Sequence, residues 1–184
     1  MKKIIAASAV SMALLSGCSS TPKDIACNYY GDANLAAPEW ICNPNQNMET
    51  YVRQAVGFSA NDEAGVAHQK NLAMLQAQKD LGDQVKAEII SQIKSKTGTM
   101  GVDGKLGGTA ATQAELNTVS NVTLEGVRVL RSAKGPDGYF YVHVGLPRQA
   151  IAQNVEKVVK AANSQSSIDA NQKLAEQIAA AMAN

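Results

Sequence analysis

Alternation of apolar and polar residues is sharpest from Tyr139 to Leu146, where Phe140, Val142, Val144 and Leu146 fall on one side and Tyr139, Tyr141 and His143 on the other. A period of two marks a half-buried strand, and the preceding Lys134-Gly135-Pro136-Asp137-Gly138 is turn chemistry. A hairpin is therefore expected with Asn121 to Arg131, whose apolar phase changes at Gly126, from Val122 and Leu124 to Val127 and Val129. Such a slip suggests a β-bulge there. Tyr51 to Phe58 also alternates, with Val52, Val56 and Phe58 on one side and Tyr51, Arg53 and Gly57 on the other.

Between these strands the period changes to that of a helix. From Asp62 to about Ser95, Ala64, Ala67, Leu75, Leu81, Val85, Ile89 and Ile93 recur at helical spacing, behind a cap at Asn61 or Asp62. Gly82 inside this helix marks either a kink or a close approach of another backbone. Ala110 to about Ser120 can form a short helix, Pro147 opens another with Ile151, Val155, Val158 and Val159 apolar, and an alanine-rich helix is expected over Ile168 to Met182. The order strand, long helix, strand, strand, helix predicts an α+β fold: a small three-stranded sheet with two helices on one face, plus an extra C-terminal helix. The opposite face is either solvated, covered by a loop, or a partner surface formed by Tyr51, Arg53, Tyr139, Tyr141 and His143.

The start of the chain follows no globular pattern. Lys2 and Lys3 precede an uncharged apolar run from Ile4 to Leu15, which ends in Leu15-Ser16-Gly17-Cys18. The run is shorter than the roughly 20 residues of a spanning helix, and it reads as a lipoprotein signal, residues 1–17, removed to leave Cys18 first and acylated. Each buried methylene is worth about 0.8 kcal/mol, so several acyl chains hold a domain firmly at a bilayer. Ser19 and Ser20 follow, where an aspartate would favour the inner membrane, so the expected address is the outer membrane with the domain in the periplasm.

In an oxidising compartment the remaining cysteines, Cys27 and Cys42, are expected to form a disulfide. Residues 18–37 then read as a tether and disulfide loop, 38–163 as the main domain and 164–184 as a helical extension. Trp40, the one tryptophan, reads as a plug beneath that loop. Lys plus Arg, 17 in the chain, loses Lys2 and Lys3 with the signal, leaving 15 against 16 Asp plus Glu. A near-neutral chain without charge runs offers no footprint for nucleic acid and no polybasic lipid patch, so membrane attachment rests on Cys18.

Catalytic signals are missing. The glycine-rich stretch Thr97 to Thr109 fails the phosphate-loop pattern, with Thr99 where the first glycine belongs and Leu106 after Gly104-Lys105, and it reads as a linker. His68 and His143 read as surface histidines, and Asp62 with Glu63 or Asp80 with Asp83 as solvated acids. A non-enzymatic protein without cofactor or metal is expected.

Pro38-Glu39-Trp40, the run Tyr51 to Phe58, Asn121 to Leu130 and Asp137 to Pro147 together resemble the twenty-kilodalton membrane-associated lipoprotein (LPP) family over roughly Pro38 to Gln153. The resemblance implies a bacterial outer-membrane lipoprotein with a strand, helix, hairpin, helix domain. It also implies a structural or assembly role through an envelope partner or self-association, since the family includes a flagellar basal-disk lipoprotein. It carries no catalytic residues over. The cysteine pair and the last helix depart from the family pattern, so a flagellar role does not transfer. A regulatory lipoprotein docking a cell-wall synthesis partner is the alternative, disfavoured because about twenty residues of tether reach at most roughly 70 Å. A small-ligand binding module is the third.

Overall fold

The computed structural model describes residues 26–46, 48–97, 122–162 and 168–183. The expected signal and Cys18, most of the glycine-rich stretch, the helix expected over 110–120 and residues 163–167 lie outside them. In chain order the elements are β1 (Asn28–Tyr29), β2 (Asp32–Ala36), α1 (Glu39–Cys42), β3 (Tyr51–Ser59), α2 (Val66–Thr97), β4 (Arg128–Lys134), β5 (Phe140–Pro147), a 3₁₀ turn (Arg148–Ala150), α3 (Ile151–Ala162) and α4 (Ile168–Ala183). The expected α+β architecture is present: β3, β5 and β4 form an antiparallel sheet in that order, with α2 packed against it.

β5 is the central strand and is buried along its whole length. Phe140, Val142, Val144 and Leu146 face the helices, joining a core built from α2, α3 and α4. On α2 the buried side chains recur every fourth residue, at Gln69, Ala73, Ala77, Leu81, Val85, Ile89 and Ile93, with Gly82 buried beside them. A step of four advances about 40° beyond a full turn, so the stripe winds around the helix, which meets β3, β5, α3 and α4 in turn. The first half of this face differs from expectation. Ala64 and Ala67 are exposed and Leu75 is 61% exposed, while the small Ala73 and Ala77 meet the sheet at Gly57.

Gly57 explains that choice. A Cβ at Gly57 would stand 2.1 Å from the Ala73 carbonyl oxygen and 2.3 Å from the Ala77 nitrogen, so helix and strand approach at a point with no room for side chains. Gly82 is not such a point, since a Cβ there meets nothing within 4 Å. α2 also begins later than Asp62. The Asp62 carboxylate accepts the Ala64 N–H (2.8 Å), its carbonyl accepts the Gly65 N–H (3.1 Å), and Gly65 takes φ 91° before the helix starts.

Two bulges set which residues share a face. Tyr51 pairs with Pro147 and Arg53 with Leu146, leaving Val52 as the extra residue. Tyr51 and Arg53 therefore point to opposite faces, contrary to their grouping by simple alternation, and Ala55 and Gly57 lie on the helix side while Val56 and Phe58 do not. In the hairpin the bulge falls between Val129 and Arg131, rather than at Gly126, which sits at φ 77° in a bend before the strand. The bend is held by Asn154, buried on α3, which accepts the Glu125 N–H (2.8 Å) and donates to the Glu125 and Ala150 carbonyls (2.9 and 2.8 Å).

Candidate functional site

The sheet face away from the helices is covered by the chain's own N-terminal segment. Cys27 and Cys42 are bonded (S–S 2.11 Å), closing a loop that holds the β1–β2 hairpin and α1. This segment is more ordered than the tether expected for residues up to 37. Two strands of such length are too short to leave a period in the sequence. Beneath the loop, Trp40 and Ile41 are buried with Tyr141, and Tyr29, Val56, Phe58 and Tyr139 pack around them. Trp40 is the plug expected of it, stacked on His143 with ring centroids 5.7 Å apart.

Tyr141 ties the loop to the hairpin. Its hydroxyl donates to the Asp137 carboxylate (2.5 Å) and accepts the Tyr30 N–H (3.1 Å), while the same carboxylate oxygen accepts the Gly31 N–H (3.0 Å). Burial and then the hydrogen bond to Asp137 push the phenol far above its ordinary range. His143 is 2% exposed, so the expectation of a surface histidine is corrected. Alternation showed that Tyr139, Tyr141 and His143 share a face, and the covering segment now accounts for it. The Pro44 carbonyl can only accept, so Nε2 of His143 carries the proton and donates to it (3.0 Å), leaving Nδ1 buried without a partner among the described residues. Burial lowers the imidazole's pKa, the Pro44 bond raises it and Arg131 lowers it further.

The other expected surface residues separate. Arg53 turns to the helix side, where its guanidinium meets Glu88 on α2 at 2.6 Å. Tyr51 stays on the His143 side, its ring against Gly145. With Gln46, Gln54, Arg131 and His143 it lines a cavity of about 320 Å³ beside β4. Gln54 is almost fully buried and donates from its side chain to the Gln46 carbonyl. Sequence reading missed Gln54 and Asn154. For Asn154 a signal existed, because it falls between Ile151 and Val155 on the apolar stripe of α3.

Elsewhere, His68 is exposed and 3.4 Å from Asp62, and Asp83 is paired with Lys79 at 2.8 Å. A second cavity of about 510 Å³ runs between α2 and residues 122–127, past Gln78, Lys79, Gly82 and Asp83. Among the described residues, no group of three or more His, Cys, Asp or Glu side chains could hold a metal, and no helix is long and apolar enough to cross a membrane. In comparison with known proteins, no family model matches the chain and no curated protein matches it at a significant level.

Proposed function

We propose that this chain is a bacterial envelope lipoprotein, held at the outer membrane by acyl chains on Cys18, whose periplasmic domain serves assembly by docking another envelope component rather than by catalysis. The observation that carries the reading is Leu15-Ser16-Gly17-Cys18 at the end of a short, uncharged apolar run behind two lysines. The Cys27–Cys42 bridge supports it, because a structural disulfide belongs to an oxidising compartment and export through such a signal leads to one. The resemblance to the LPP family supports the assembly role. So does the architecture, in which the cavity beside β4 adjoins an exposed strand.

Labelled palmitate tests the anchor. Wild type should incorporate the label and fractionate with outer membranes, and Cys18→Ser should do neither. A Cys18→Ser protein that still incorporates lipid and remains in the outer-membrane fraction would refute the reading.

A further inference from the structure

The two outer edges of the sheet are treated differently. On β3, outward N–H groups are taken by side chains: Gln54 N–H by the Asn45 carbonyl oxygen (3.1 Å) and Phe58 N–H by that of Gln76 (3.2 Å). On β4, which pairs only with β5, no side chain caps the outer edge among the described residues. β4 is exposed nearly throughout and carries Arg128, Arg131 and Lys134 with no acid, and none of the three is in an ion pair among the described residues. Residues three apart on a regular strand point to opposite faces, but the bulge between Val129 and Arg131 changes this. Arg128 faces with Gly145 and Arg131 with His143, so both cations stand on the face that holds the cavity of Gln46, Tyr51, Gln54 and His143.

We infer that the outer edge of β4 docks an extended, acidic segment of a partner protein, which adds as a fourth strand and sets a carboxylate against Arg131 at the rim of that cavity. Strand addition supplies main-chain hydrogen bonds, and side-chain slots supply selectivity. Cations on an edge strand keep other strands away, and they do so selectively: a neutral or basic strand is refused while an acidic one is drawn in. A second copy of this chain is the wrong occupant. Antiparallel pairing of two β4 strands centred on Arg131 opposes Arg131 to itself, and like charges directly opposite are destabilising. The inference deepens the proposed docking role and is independent of the anchor, so it can fail while the palmitate result stands.

The test uses the full chain in detergent micelles and two end-capped synthetic peptides, one alternating glutamate with valine and one alternating lysine with valine. Hydrogen exchange read by mass spectrometry should show the glutamate peptide protecting the segment Arg131–Lys134. Its binding should be at least about tenfold tighter than that of the lysine peptide and should weaken with salt. The triple variant Arg128→Glu, Arg131→Glu, Lys134→Glu should reverse the preference, and because all three side chains are exposed it should fold as wild type does. Equal binding of both peptides, protection confined to other segments, or a variant that keeps the wild-type preference would each overturn the inference. So would dimerisation through β4 without peptide, or binding of these cations to anionic vesicles in place of the glutamate peptide.

Discussion

Removing one oxygen, by Tyr141→Phe, tests whether the N-terminal loop is latched to the sheet. The ring stays, with its buried contacts to Tyr29, Phe58 and Tyr139, so the change isolates the hydroxyl. Lost are the donation to the Asp137 carboxylate and the acceptance of the Tyr30 N–H. Asp137 keeps the N–H groups of Gly31 and Tyr139, and exposed Tyr30 can turn its N–H to water, so neither is orphaned. What remains is the net worth of one hydrogen bond to a charged group, about 2 kcal/mol. For a domain of this size that is a fall in melting temperature of roughly 6–10 °C. Exchange should quicken first in residues 28–36. The phenol also adds a pH signature, because folding raises its pKa above the ordinary 10.0. Its contribution is fully present below that value and is lost as pH rises toward the folded one, so wild type should lose stability on the alkaline side faster than Tyr141→Phe. A variant melting within about 2 °C of wild type with an unchanged alkaline slope would refute the latch.

Replacing Cys27 and Cys42 by serine should cost about 3 kcal/mol for a bridge of sequence separation 15, with hydrogen exchange rising in residues 27–42 before it rises in β5. The two glycines facing or within α2 should respond oppositely in thermal melts. Gly57→Ala drives a methyl into the α2 backbone and should destabilise by about 3 kcal/mol, whereas Gly82→Ala meets open space and should stabilise by about 1 kcal/mol. On the acid side, His143 faces the Pro44 carbonyl, Trp40 and the Arg131 cation, and its pKa lies below the ordinary 6.5. Its neutral form contributes stability above that value, lost as pH falls through the folded one, so His143→Gln should flatten the acid limb of a stability–pH curve.

Strand alternation in β5 revealed which residues share a face, and the helix-facing set was legible because large aliphatic side chains follow that period without interruption. It did not reveal what lies over the other set. That cover comes from residues more than ninety positions away, as the Pro44 to His143 hydrogen bond shows, and no local period encodes such a contact. Trp40 held the available hint, since a single tryptophan assigned to the core needs a flat partner, and the aromatic face of β5 was the one left unassigned. The start of α2 is hidden from the pattern for a different reason. Large apolar residues dominate hydropathy patterns, but where Gly57 brings two backbones together the buried positions are alanines, and Leu75 points to solvent.

Bulges are the last thing alternation hides, and here they decide the chemistry of both edges. A single extra residue at Val52 sends Arg53 to Glu88 on α2 and leaves Tyr51 beside the cavity, although the two are two apart and would share a face on a regular strand. The slip in the second hairpin strand was legible as a change of apolar phase, yet its place was not. The apolar phase changes at Gly126, while the extra residue is Leu130, whose side chain packs over Gly145 on β5. A Cβ at Gly145 would stand 3.0 Å from Leu130 Cδ1 and 2.9 Å from the Tyr51 ring, so the missing side chain on the central strand makes room for the bulge on its neighbour. Position 145 thus bears on the outer edge without touching it: with Leu130 seated there, Arg128 and Arg131 fall on one face, and β4 presents its cations beside the cavity rather than dividing them across the sheet.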